Sequence, residues 1–153
     1  MVADLMRQLS ENGKYTVPEN LSAKITDDFW AGCCDDAKAA QTIRALWDGE
    51  HYLADTHTAV GVRVYEDYRT ETGDKTPTII ASTASPFKFC RAVVEALGGT
   101  LEKDDVTQLD VLSGMTGLAA PAPLAALAGK QPRFDLTVDK ESILGTTDLL
   151  SAL

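Results

Sequence analysis

Apolar residues in this chain recur mostly with helical spacing. Val2, Leu5, Met6 and Leu9 fall at i, i+3, i+4 and i+7, one helix face, and Gly13 would stop it. No capping residue precedes Val2, an abrupt opening of the kind expected in an element cut from a longer chain. Ile25 to Cys33 is short and rich in aromatics and is a candidate strand. Asp35 and Asp36 open a helix with Ala40, Ile43 and Trp47 on one face, ending at Gly49. Asp55 can cap a helix from Thr56 to Thr70, stopped by Gly73. Val60, Val62 and Val64 also alternate like a strand, but the segment's length and the Arg63–Asp67 pair favour helix.

The clearest element starts at Thr78. Ile79-Ile80-Ala81 reads as a buried strand that ends in Ser82 and Thr83 and turns at once into a helix. Ser85 as N-cap and Pro86 as first helical residue form the favoured start. Phe89, Cys90, Val93, Val94 and Leu97 make its buried face, and Gly98-Gly99 closes it. Val106 to Met115 is a weaker helix, 119–132 an irregular Ala/Pro connection, and Lys140 to Leu153 a final helix. The pattern predicts an α/β fold: a parallel-sheet, three-layer αβα arrangement over 1–118, followed by a C-terminal connection and helix over 119–153. In such folds ligands bind at the carboxyl ends of the strands, which puts Ser82 and Thr83 beside an open cleft.

Composition narrows the partners. A length of 153 residues suits one domain with a real core. A formal charge of −9 argues against nucleic acid, and no apolar run approaches the roughly 20 residues of a membrane span. Residues 1–20 show no signal peptide. Cys33, Cys34 and Cys90 are odd in number and lack C-x-x-C spacing, which fits reduced thiols in the cytoplasm. His51 and His57 have no Cys or His partners to complete a zinc set, so no metal site is expected. The acid pairs Asp27-Asp28, Asp35-Asp36 and Asp104-Asp105 read as solvated helix starts. Ser82-Thr83-Ala84-Ser85 admits a purely structural reading, in which Ser85 caps and Thr83 satisfies the turn. It also admits one in which Thr83 meets a ligand. The residues alone favour the first.

Three runs carry a resemblance. Ser10-Glu11-Asn12-Gly13-Lys14-Tyr15, Asp55-Thr56-His57-Thr58-Ala59-Val60-Gly61 and Ser82-Thr83-Ala84-Ser85-Pro86-Phe87-Lys88-Phe89 resemble the C-terminal third of the threonine synthase family, in order and spacing. The family's usual forms are close to D-P-H-T-A-V-G and S-T-A-H-P-A-K-F. Here Thr56 replaces the Pro, Ser85 the His and Phe87 the Ala. The likeness covers residues 1–100.

The resemblance implies a segment of a fold type II enzyme that uses pyridoxal phosphate to convert O-phospho-L-homoserine and water to L-threonine and phosphate. It implies that Thr83, with Ser82 beside it, meets the pyridine nitrogen of the cofactor, and that His57 and Thr58 lie behind those contacts. The family's Schiff-base lysine and phosphate-cradling loop lie upstream of its C-terminal third, and no lysine here stands in a matching context, so no catalytic residue is assigned. Lys88 matches the motif's own Lys and reads as a surface residue. This chain without cofactor, with the rest of a threonine synthase chain as its partner, is the expectation. An uncovered apolar surface that could form a homodimer goes with it. Two other classes stay open: a segment of another fold type II lyase, and a non-catalytic α/β interaction module.

Overall fold

The computed structural model describes residues 1–131 and 137–142 and is helical throughout its regular elements. These are α1 (Val2–Asn12), α2 (Glu19–Asp28), α3 (Asp36–Glu50) and α4 (Thr56–Thr72). A 3₁₀ turn (Pro86–Phe89) then leads into α5 (Cys90–Ala96), followed by α6 (Asp105–Thr116) and α7 (Ala122–Ala125).

No strand and no sheet occur among the described residues, which overturns the expected parallel-sheet αβα fold. The reason lies in what a strand needs. Residues 77–83 belong to no regular element and Ala84 is a bend, and their backbone N–H and C=O groups make no backbone hydrogen bonds among the described residues. The other candidate strand, 25–33, gives its first half to α2, because Phe29 N–H closes that helix on Ile25 O at 2.8 Å. Both stretches lie along α4 instead. Ile80, Trp30 and Tyr68 share one groove on it, and Trp30 meets Tyr68 edge-on at 5.4 Å. Ile79 also borders that groove but is 96% exposed.

The helices form where capping chemistry puts them. Asp35 accepts from Lys38 N–H at 2.8 Å to start α3, and Asp104 accepts from Thr107 N–H at 2.8 Å to start α6. Gly73 and Gly117 end α4 and α6 in the left-handed conformation. Gly49 does not end α3 as expected. The helix runs on through Glu50, and His51 takes the left-handed position at φ 51°. Ser85 caps and Pro86 leads as expected, accepting Phe87 N–H at 3.3 Å, but the first turn is 3₁₀. Three residues per turn swing Phe87 inward and leave Phe89 half-buried, so Phe87 takes the core place expected of Phe89.

The core sits where α3, α4, α5 and α6 meet. Ile43, Ala54, Ala59, Phe87, Val93, Val94, Leu97 and Leu112 are buried together there. Arg44 donates to Leu97 O and pairs with Asp48 at 3.2 Å, tying α3 to the end of α5. By contrast α1 and α2 bury no residue, and Val2, Met6, Leu9 and Ile25 are exposed. The connection expected to be irregular over 119–132 contains a helical turn, α7, among its described residues; the final helix expected over 140–153 lies largely outside the described residues.

Candidate functional site

The start of α4 builds the most organised polar group in the molecule. Asp55 is 1% exposed, yet its carboxylate is fully employed. It accepts from His57 N–H at 2.9 Å, from Thr58 N–H at 3.4 Å and from the Thr58 hydroxyl. Burial alone would push this carboxyl up, but the bonds from Thr58 and His57 outweigh it and hold the group below the usual aspartate range. The positive end of the helix dipole favours the same anion.

From there the chain of hydroxyls leaves the helix. Thr58, itself buried, lies 3.0 Å from Ser82 Oγ across 24 residues of sequence. Thr83, the next residue, is exposed, and its hydroxyl makes no hydrogen bond among the described residues. His57 takes a separate direction. Its ring rests on Phe89 at 4.9 Å, with Nδ1 3.4 Å from Asp55 Oδ1. It also borders a groove of about 570 Å³ between α3 and α5 that Ile43, Val60 and Ala92 floor and Asp36 and Glu95 rim.

Of the four residues singled out from sequence, Thr58 and Ser82 are thus in contact, His57 joins them through Asp55, and Thr83 stands free. Thr83 ends an irregular segment rather than a parallel strand. None of the principal cavities is lined by Ser82 or Thr83. Asp55 was legible only as a helix cap. The signal for more was Thr58 three residues on, where a side-chain hydroxyl can reach back to the capping carboxylate. Lys88 sits with Nζ 5.9 Å from the Phe89 ring, a surface position.

Thr58 and Ser82, the two residues that join the motifs, both fall inside one family match. The family profile described as "Threonine synthase, C-terminal" matches residues 58–142. The chain belongs to the threonine synthase family. It is similar to the threonine synthase of Saccharomyces cerevisiae, 33% identical over 113 residues, covering 68% of this chain and 22% of that protein. It is likewise 42% identical over 82 residues to the threonine synthase of Methylobacillus glycogenes, covering 53% of this chain and 17% of that protein. Among solved structures it resembles the crystal structure of PLP-bound threonine synthase from Brucella melitensis. The TM-score is 0.65 at 29% identity, over 87% of this chain and 24% of that one. The chain thus spans roughly a sixth to a quarter of these relatives.

Pyridoxal phosphate makes three demands: a partner at its ring nitrogen, a cradle for its phosphate and an amine for its aldehyde. Among the described residues Thr83 fits the first, with an exposed hydroxyl and no competing bond. The phosphate and aldehyde find no comparable group in the polar network around Asp55, Thr58 and Ser82. The fit is to one edge of the cofactor. No helix among the described residues is long and apolar enough to cross a membrane.

Proposed function

We propose that this chain serves as the C-terminal part of a threonine synthase, which converts O-phospho-L-homoserine and water to L-threonine and phosphate with pyridoxal phosphate. The observation that carries the reading is the family match over 58–142, which contains both Thr58 and the Ser82-Thr83 pair that it contacts. When bound, the cofactor supplies an electron sink for chemistry at the substrate's α and β carbons, and the group at its ring nitrogen sets how strongly that sink draws. Thr83 meets that nitrogen with a neutral hydroxyl, which cannot hold it protonated as a carboxylate would. Ser82, Thr58 and His57 stand behind it. The lysine and phosphate contacts come from the rest of the enzyme chain, the partner of this one.

Residues 1–118 belong to the cofactor-binding domain, with 119–153 as the stretch that follows it; the end of α6 at Gly117 supports that division. Three unpaired cysteines support a reducing, cytoplasmic setting.

A chimera tests the proposal. This chain replaces the matching C-terminal part of the Saccharomyces cerevisiae enzyme in a yeast strain that requires threonine. Growth without threonine is expected, and its loss in Thr83→Val but not in Thr83→Ser. A chimera that accumulates as folded protein without restoring growth would overturn the reading.

A further inference from the structure

Asp55, Thr58 and Ser82 form a line of three side chains in which the protons can be counted. A carboxylate has acceptors only, and each hydroxyl has one proton. Asp55 takes the Thr58 proton, since it has none to give. Thr58 then faces Ser82 at 3.0 Å with lone pairs alone, so the bond across that gap uses the Ser82 proton. Ser82 has no proton left to offer outward. Thr83, the next residue, is exposed and makes no hydrogen bond among the described residues, so it keeps its own.

We propose that Asp55 and Thr58 are positioning residues that anchor Ser82 and so leave Thr83, of the adjacent Ser82-Thr83 pair, as the hydroxyl free to donate. This rests on the reading above, and sharpens it: of two adjacent hydroxyls, only Thr83 can donate to an unprotonated pyridine nitrogen. The anchor is rigid at its root. Asp55 and Thr58 are 1% and 5% exposed, and two backbone amides of α4 fix the carboxylate. Ser82 itself is exposed, so without Thr58 nothing in the network would hold it.

The test uses this chain in solution, with side-chain rotamers of Ser82 and Thr83 read from three-bond NMR couplings and backbone order from relaxation. Wild type is expected to hold Ser82 in one staggered rotamer. Thr58→Val, which keeps the shape and loses the hydroxyl, should average Ser82 over three rotamers and lower the order of Thr83. Thr58→Ser should restore both. A merely structural Thr58 would lower the melting temperature of Thr58→Val and leave Ser82 fixed, and that result overturns the proposal. Should Thr58→Val fail to fold, Ser82→Ala at its exposed position serves: reduced order at Thr83 supports the anchor, unchanged order refutes it. The chimeric enzyme separates the two ideas. An anchored turn in this chain, with a Thr83→Val chimera that grows without threonine like the unsubstituted one, would count against the cofactor reading and not against the anchor.

Discussion

Thr58 Oγ1 stands 3.0 Å from Ser82 Oγ and joins the start of α4 to the irregular segment in front of α5. The contact fixes the Ser82-Thr83 turn to a buried carboxylate, Asp55, and through it to the core of the molecule.

Acid should loosen this arrangement first. Asp55 titrates below an unfolded aspartate, so its stabilisation is full above about pH 4 and is lost as pH falls through its folded value. Asp104 behaves the same way, and Asp74, held down to about 2 by bonds from Thr76 and Tyr68, adds to the same slope. Asp55→Asn should cost about 1 kcal/mol at pH 7, because Asn still caps. Its melting temperature should also fall less steeply between about pH 5 and pH 2. Parallel thermal melts of the two proteins across that range give the comparison; equal acid slopes would remove Asp55 from the account.

The junction of α5 and α6 should reject a methyl group. Gly98 and Gly99 close α5 with paired bonds, Gly99 N–H to Val94 O at 2.8 Å and Gly98 N–H to Glu95 O at 2.9 Å. A Cβ on Gly99 would stand 2.7 Å from Val94 Cγ1 and 2.5 Å from Met115 Sδ. Val94 is fully buried and cannot yield. Gly99→Ala should therefore destabilise by about 1–3 kcal/mol in denaturant unfolding. A neutral result would place α6 further from α5.

Stability and association should map to different helices. Leu112 is fully buried, and Leu112→Ala should cost about 2–5 kcal/mol. Met6 and Leu9 on α1 are 46% and 43% exposed, and their replacement by Glu should change stability by less than about 0.5 kcal/mol. If their apolar face mediates association, as its exposure suggests, the double variant should scatter light as a monomer where wild type grows in mass with concentration. Loss of stability in the α1 variant would mean that α1 packs into the core.

The helices that were legible carry their own punctuation: Asp35, Asp55, Ser85 and Asp104 at their starts, Gly13 and Gly73 as stops; α2 and α7 have no such signal and went unread. The sheet was misread because Ile79-Ile80-Ala81 specifies an extended backbone but not its neighbours. Periodicity cannot supply a pairing partner, and residues 25–33 proved to be half helix. His51 at the end of α3 was hidden behind Gly49, a glycine that sits inside the helix. At the site, Ser82 and Thr83 stood out as the hydroxyl end of an apolar run, and the resemblance added His57, Thr58 and the cofactor role. The bond joining Thr58 to Ser82 spans 24 residues and has no trace in local spacing.

The most direct measurement is a crystal structure of the chimeric enzyme with pyridoxal phosphate bound. The Thr83 hydroxyl is expected within about 2.7–3.2 Å of the ring nitrogen, with Ser82 still turned toward Thr58. A ring nitrogen that faces another side chain, with Thr83 beyond about 4 Å or Ser82 in its place, would contradict the account.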